Sequence, residues 1–392
     1  MAKFEMKLLN ELCEINIGKT PARAEQVYWG FGNFWLSIAD IKSKYIDTTK
    51  ETITDIAIEK CNMKIIPKNT VVMSFKLSLG KLAILKENMY SNEAIASFPI
   101  LKSGTVLPEY LYYALKTVRL ERYADKAAKG TTLNKKKLNQ IKIPYTDIEN
   151  QKKIVLIMNV AEDLVLKRQS QITALDELTQ SLFLEMFGSK NQSELTEISE
   201  IAEVLGGLQV SGKRKDNPIE VPYLRVGNVY RNALVLDEIK FIRVTENELK
   251  RAILKKHDIL VVEGHGNKKE IGRASRWNGE ISNCVHQNHL IKVRVVNEHV
   301  RPEYLCSFIN SIGGKIHMYK NSNTTSGLNT INTNVVRKMK VYIPPLTEQD
   351  KFIALEDEIN KKRRKMSESL VQIKFLYNSL LQKAFKGELF LK

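Results

Sequence analysis

NQKKI at residues 150–154 returns as EQDKF at residues 348–352, 198 positions later, and each stretch opens a long helical pattern. The chain repeats itself outward from these anchors. Ser181, Leu182 and Phe187, near the end of the first pattern, come back as Ser379, Leu380 and Phe385 at the end of the second. Upstream, TLNKKKLNQIKIP (132–144) answers TINTNVVRKMKVYIP (330–344). The order is therefore globule, helix, globule, helix. Duplication of whole units gives built-in pseudo-two-fold symmetry, and a chain of this kind can hold two different reading heads at a fixed separation.

The first globule covers residues 1–145 and the second 189–344, and their landmarks correspond. VPYLRVGNV (221–229) answers FWLSIADI (34–41), KHDILVVEG (256–264) answers KNTVVMSFK (68–76), and RPEYLCSFI (301–309) answers LPEYLYYAL (107–115). WLSIADI, TVVMSF (70–75) and IASFPIL (95–101) read as strands, being β-branched or aromatic runs between turn residues. PEYLYYALKT (108–117) reads as a helix with proline at its start. Between landmarks the globules diverge: GKTPARAEQVYWGFG (18–32) has little likeness to GGLQVSGKRKDNPIE (206–220). A common scaffold with unequal loops is what two heads with different targets would show.

The helices occupy residues 146–188 and 345–392. Asp147 is placed to cap the first, Glu149 suits its positive end, and Gly188 ends it. Ile154, Ile157, Ala161, Leu164, Leu175, Leu178 and Leu182 follow a seven-residue repeat, interrupted at Arg168 and Gln171. In the second helix Thr347 is the expected cap, with Glu348 in the first turn. Its stripe, Phe352, Leu355, Ile359, Met366, Ile373, Leu376 and Leu380, matches the first at the same offset, with Ser369 at the position of Gln171. An apolar stripe needs a mate. About 40 residues at 1.5 Å rise span roughly 60 Å, too long for one small globule to cover. The expected fold is therefore α+β: two globular domains separated by two long helices packed as an antiparallel coiled coil.

Composition narrows the function. The 392 residues suffice for several cores, and 43% hydrophobic with 27% charged is an ordinary globular balance. A formal net charge of +17 favours a polyanionic partner, through phosphate neutralisation and counterion release. Cys13, Cys61, Cys284 and Cys306 lie far apart without a CxxC, which predicts buried free thiols rather than zinc or a disulfide framework. No apolar run approaches the ~20 residues of a membrane span, and the N-terminus carries no signal-peptide core. A cytoplasmic protein is expected.

Catalytic motifs fail one by one. Gly18-Lys19-Thr20 resembles the end of a phosphate loop, but Cys13 stands where the first glycine is required. Gly264-His265-Gly266 lacks the third glycine of a dinucleotide fingerprint. Asp237, Glu248 and Lys250 have a loose nuclease-like order, yet TENELKRA (245–252) reads as a polar helix whose carboxylates form a solvated face. His265, His286 and His289 could hold a metal, but NCVHQNHLIKV (283–293) aligns with SNEAIASFPIL (91–101), and a polar strand end near DNA suits them as well. No catalytic residue and no metal site is assigned. A stand-alone metal-dependent nuclease or a coiled-coil scaffold are the alternatives; the scaffold leaves the two divergent globules unexplained.

PLTEQDKF (345–352) preceded by MKVYIP, the opening LNELCEINIGKTP (9–21), the ending SLLQKAFKGEL (379–389) and the globule–helix repeat together resemble the specificity subunit of type I restriction–modification systems. The likeness covers essentially the whole chain. PYTDIENQKKI (144–154) departs from the usual Pro-Leu-x-Glu-Gln junction at Asn150 and keeps Gln151. The resemblance implies two target-recognition domains, each reading half of a split, asymmetric double-stranded DNA site, with the helix pair as a ruler. It implies docking of two methyltransferase subunits and of restriction–translocase subunits. S-adenosylmethionine, ATP and magnesium would belong to those partners, and this subunit would hold no cofactor.

Residue chemistry supplies candidate DNA contacts. Arg and Lys read guanine, Asn and Gln read adenine, and small hydroxyls and cations grip phosphate. On this basis the first domain offers Lys19, Arg23, Lys76, Lys81, Lys129, Thr131, Asn134 and Lys136. The second offers Gln209, Lys213, Arg214, Lys215, Arg225, Asn228, Asn267, Lys268, Lys269, Arg273, Asn321 and Asn323. GHGNKKE (264–270) is the strongest single loop, with small residues for close approach and an amide and cations for contact. Lys361, Lys362, Arg363 and Arg364 are expected on the outer face of the second helix.

Overall fold

The computed structural model describes residues 4–123, 125–127, 130–188, 195–325 and 328–389, without the side chains of 125–127, 130–132 and 325. Chain contacts divide it into two compact units: Met1–Gln169 with Glu368–Lys392, and Ser170–Ser367.

In the first unit, three runs of apolar or small residues, Val71–Ser74, Leu82–Leu85 and Ile95–Phe98, are buried at every position. Strands covered on both faces read as continuous runs rather than alternations. They form the middle of a five-stranded sheet ordered Asn16–Ile17, Ile95–Phe98, Val71–Ser74, Leu82–Leu85, Tyr45–Ile46. The helix Pro108–Thr117 has proline in its first turn and buries Tyr110 to Leu115 in the same core. The second unit repeats this with Ala202–Gly206, Leu290–Val295, Ile259–Val262 and Ala274–Arg276, and the helix Pro302–Asn310. In each unit a short strand near its start pairs with the segment entering a long helix: Glu5–Leu8 with Lys142–Tyr145, and Leu195–Glu197 with Lys340–Tyr342.

The expected strand at Trp35 ends sooner than its composition suggests. The strand is Trp29–Leu36, and a 3-10 turn follows at Ile38–Asp40. The cause is local: the Asp40 carboxylate accepts from the Ser37 amide (2.8 Å) and hydroxyl (2.6 Å). Such side-chain bonds compete with the strand ladder. The second unit does the same after Ile219–Leu224, where the Asn228 amide oxygen accepts from the Arg225 backbone N–H (3.0 Å).

The long helices are Ile148–Phe187 and Leu346–Lys386. Asp147 caps the first, accepting from the Asn150 N–H at 2.9 Å. Thr347 does not cap the second. Leu346 is already helical, and the Glu348 and Gln349 amides bond the Pro345 carbonyl. In the first unit Ile154 and Met158 share a core with Leu381, Ala384 and Phe385, and Lys116 reaches both Glu162 and Tyr377. In the second, Phe183 and Phe187 pack on Phe352, and Arg363 reaches Asp176. Numbers rise on one helix as they fall on the other, so the pairing is antiparallel.

Part of the expected stripe is displaced by one residue. Ile154, Ala161 and Phe352 are buried, and Leu175, Leu182, Ile359, Met366, Ile373 and Leu380 are half-buried. Leu164, Leu178, Leu355 and Leu376 are exposed, and Ile157 is only half-buried. Met158, Val165, Ile172 and Thr179 point inward instead, as do Glu356, Arg363, Leu370 and Tyr377. A seven-residue period accepts either set, because both carry apolar residues at the same spacing. The true inner positions include Thr179, Glu356, Arg363 and Tyr377, whose polar atoms find partners within the pair or its globule. Arg363 is thereby removed from the expected outer basic run; Lys361, Lys362 and Arg364 are exposed.

Cys13, Cys284 and Cys306 are buried free thiols and Cys61 is half-buried. Burial pushes each of the three buried thiols up to about 12, so they behave as small hydrophobes. Among the described residues no helix is long and apolar enough to cross a membrane.

Candidate nucleic-acid interface

In each unit three loop segments that are distant in sequence are brought to one surface. The first unit starts from the loop after Asn16–Ile17, where the Lys19 N–H donates to the Ser91 carbonyl at 2.8 Å. Lys19 Nζ donates to the carbonyls of Cys61 and Asn62, both at 3.1 Å. Arg23 lies 3.8 Å over the Trp29 ring and pairs with Glu51. The second segment is the loop after Val71–Ser74, carrying Lys76 and Lys81. The third is the hairpin Asp125–Ala127 with Gly130–Thr132. The Leu133 N–H donates to the Phe75 carbonyl at 3.0 Å, which ties hairpin to loop. Glu93 joins the first segment to the second: the Thr20 hydroxyl bonded to it, with Lys76 and Arg23 nearby, holds its carboxyl below the usual range.

The second unit repeats the joint with different side chains. The Ile331 N–H donates to the Glu263 carbonyl at 2.9 Å. Here the loop also pairs as a strand: Gly264–His265 aligns with Leu328–Thr330, which in turn pairs with Asn323–Thr325. Asn267 orders the loop by accepting from the Lys269 N–H at 3.1 Å, and Lys268 Nζ lies 4.2 Å from the Tyr319 ring centre. The Gln209 loop is tied to the segment before Leu290–Val295, where the Leu208 carbonyl accepts from the Asn288 N–H at 2.9 Å, and the next residue's carbonyl, that of His289, accepts from the Glu263 N–H at 3.0 Å.

Most predicted contact residues fall on these surfaces. Lys19, Arg23, Lys81, Asn134 and Lys136 are exposed, and Lys76 is half-buried. Gln209, Lys213, Lys215, Asn267, Lys269, Asn321 and Asn323 are exposed, and Lys268 is half-buried. Asn134 also caps the helix Lys135–Asn139. Lys129 lies outside the described residues, as does the side chain of Thr131.

Four predicted contacts are spent inside the fold. Asn228 is buried and saturated, accepting from Arg225 and donating to the carbonyls of Val235 and Glu238. Arg273 is buried, donates to the Val226 carbonyl and stacks on Tyr230. Arg214 pairs with Glu248 at 2.9 Å and donates to the Gln209 carbonyl at 2.6 Å. Arg225 pairs with Glu238 at 2.8 Å. Composition does not distinguish an arginine that braces a loop from one that reads DNA; burial does. Thr20, Glu93 and Glu263 belong to the surfaces and carry no sequence expectation, whereas His289 lies there as a polar strand end. His289 Nδ1 lies 3.2 Å from a Glu263 carboxylate oxygen, and the acids near each basic loop were the available signal.

His286 corrects the expectation of a polar strand end. It is fully buried, its Nδ1 donates to the Ala252 carbonyl at 3.1 Å, and burial, helped by Lys292, pushes its pKa down to about 4. The nuclease-like carboxylate is also committed. Glu248 closes a capping box with Thr245, and the Arg214 bond holds its carboxyl below the usual range.

A family model described as type I restriction modification DNA specificity domain matches residues 1–174 and again 191–366. The chain belongs to that family. It takes the place of a specificity subunit, a non-catalytic DNA-recognition chain. It is 23% identical over 388 residues to the EcoKI specificity subunit of Escherichia coli K12, covering 89% of this chain and 81% of that one. It is 28% identical over 190 residues to the MjaIX specificity subunit of Methanocaldococcus jannaschii, covering 47% of this chain but only 44% of the relative's length. Among solved structures, the type I restriction–modification S subunit of M. genitalium superposes with a TM-score of 0.51 at 15% identity, covering 98% and 96% of the two chains. A chain solved in work on complex assembly and conformational transition of the type I system gives 0.57 at 14% identity and 98% coverage of both. At these identities the superpositions speak for the fold alone.

Proposed function

We propose that this specificity subunit reads a bipartite, asymmetric site in double-stranded DNA, one half with residues 1–145 and the other with residues 189–344. Residues 146–188 and 345–392 act as the spacer between the halves. The observation that carries the reading is the repeated joint, Leu133 to Phe75 and Ile331 to Glu263, which brings equivalent loops together while their side chains differ. The contacts would come from Lys19, Arg23, Lys76, Lys81, Asn134 and Lys136 in one head. In the other they would come from Gln209, Lys213, Lys215, Asn267, Lys268, Lys269, Asn321 and Asn323. Two methyltransferase subunits and the restriction–translocase subunits would be its partners in the cytoplasm, bringing S-adenosylmethionine, ATP and magnesium.

Long-read methylation mapping of a host expressing this chain with its methyltransferase tests the reading. Two short specific halves around a fixed gap are expected, and replacing residues 1–145 by another head should change one half only. A continuous methylated motif would break the two-head reading. Single substitutions sort the contacts: Lys269→Ala should weaken all duplexes alike and reduce the salt slope by about 1, whereas loss of a base-reading amide relaxes one position.

A further inference from the structure

We infer that Leu77 of the first head is a wedge that enters a base step of that head's half-site; this rests on the two-head reading above. Leu77 is 70% exposed and holds a left-handed backbone, φ 63°. A leucine gains nothing from either state in the free protein. Left-handed backbone is unfavourable for a side chain with a Cβ, and such residues gather at ligand sites. The loop that presents it is fixed rather than loose. The Ser74 hydroxyl donates to the Ser78 carbonyl and accepts from the Lys81 N–H, and the Ser74 carbonyl accepts from Gly80 at 2.8 Å. Leu79, two residues on, packs against the core, so the loop is anchored on one side of its apolar tip.

Charge names the occupant. Lys76 and Lys81 flank the tip, and the Leu133–Phe75 bond sets it beside the segment bearing Asn134 and Lys136. A rigid apolar prong between phosphate-gripping cations is the arrangement that pries bases apart, and leucine is among the side chains that do so. At the corresponding position the second head has no such prong. Its corresponding loop runs Gly264-His265-Gly266-Asn267 and is paired to the hairpin, presenting polar groups. The first head would therefore read partly by deforming DNA, and the second by direct contact.

The experiment uses this chain assembled with its methyltransferase and a duplex carrying the mapped site, end-labelled for energy transfer. Leu77→Gly removes the prong and suits the left-handed backbone, so its melting temperature should equal or exceed the parent's. We expect it to bind about tenfold more weakly and to bend the duplex less, with Leu77→Met close to the parent. An abasic nucleotide scanned through the first half-site should restore Leu77→Gly at one position, because unstacking is then already done. Parent-like affinity and bend in Leu77→Gly would overturn the wedge, as would weakened assembly with methyltransferase in the absence of DNA, which would make the tip a partner contact. A parent complex that fails to discriminate site from scrambled duplex would sink the two-head reading, and the wedge with it.

Discussion

The two globules meet their helices through one shared joint and two unlike seats. The joint is a buried glutamine. Gln151 accepts from the Leu107 N–H (2.9 Å) and donates to the carbonyls of Thr105 (3.0 Å) and Thr146 (2.8 Å). Gln349 accepts from Arg301 (2.8 Å) and donates to His299 (2.8 Å) and Pro344 (2.7 Å). Tyrosine repeats the theme: Tyr110 donates to the Pro144 carbonyl at 2.6 Å and Tyr304 to the Tyr342 carbonyl at 2.7 Å. Beyond this turn the seats part. In the first unit Glu162 pairs with Lys116 at 2.7 Å and Lys44 at 3.7 Å, with Tyr113 and Asn159 completing the network. In the second, Phe183, Phe187, Phe352 and Tyr304 form an aromatic cluster, and the buried Glu356 carboxyl meets the Ser307 hydroxyl. The joint addresses only backbone, so it tolerates any surrounding sequence; the seats address side chains and have diverged with them.

The sharpest test removes each joint in turn. Gln151→Leu and Gln349→Leu should each cost about 3 kcal/mol, since a buried N–H and carbonyls lose their partners. Urea unfolding followed by fluorescence separates the units, because Trp29 and Trp35 report the first and Trp277 the second. Losses that differ by more than about 1 kcal/mol between units would show that the joints are not equivalent.

The charged seat should be the more fragile of the two. Glu162→Ala leaves the half-buried Lys44 ammonium facing that of the exposed Lys116 and should cost about 2 kcal/mol, discounted for exposure. Burial already holds the Lys44 pKa below its usual value. Unfolding in rising salt should affect the Trp29 and Trp35 signal more than the Trp277 signal; the reverse order would invert the assignment of the seats.

Acid should separate the units in the opposite sense. His286 occupies the position that Ser91 holds in the first unit, since each ends the short parallel strand beside Leu224 or Leu36. Its folded pKa of about 4 lies below the ordinary histidine value of 6.5. The unfolded chain therefore binds the proton more readily, and the neutral imidazole's contribution is complete above about pH 6.5 and lost as pH falls toward 4. A decline on the order of 2 kcal/mol confined to the Trp277 transition is expected. His286→Ser should flatten it, and an unaltered acid profile in that variant would refute the assignment.

The smallest effect is expected at Glu356. Burial raises its carboxyl pKa, so charge is already disfavoured there. Glu356→Gln keeps the volume and a partner for Ser307 and should shift stability by about 0.5 kcal/mol or less. A loss like that of Glu162→Ala would mean that the second seat is ionic as well.

Repeats were the most legible part of this molecule because they are carried by positions with no freedom. Gln151 and Gln349 must span the same three backbone groups, and Phe187 and Phe385 must fill the same kind of helix-end core, so identity persists where surroundings change. The displaced stripe shows the limit. Leu164, Leu178, Leu355 and Leu376 have the period of inner residues but lie on the adjoining face, while Thr179, Glu356, Arg363 and Tyr377 take the inner positions. Period reports that a face exists; only the opposing helix and globule decide which of two adjoining faces it is. The predicted contact residues divide in the same way. The exposure of Lys19, Asn267 and Lys269 was legible because a basic or amide loop between strands has nowhere to go but the surface. Asn228 and Arg273 were not, because their partners are carbonyls from other segments, which no local pattern announces.

By itself, then, the sequence determined the duplicated order of globule and helix, the positions of the two junctions, and the basic character of the loops, since each rests on local patterning or on counting. Tertiary structure alone decided which helix face is inner, which cations are exposed and which are buried in bracing the fold, and that Leu77 stands out on a fixed left-handed turn. Those outcomes depend on burial and on hydrogen bonds between residues far apart in the chain, and such bonds form only once the segments have met.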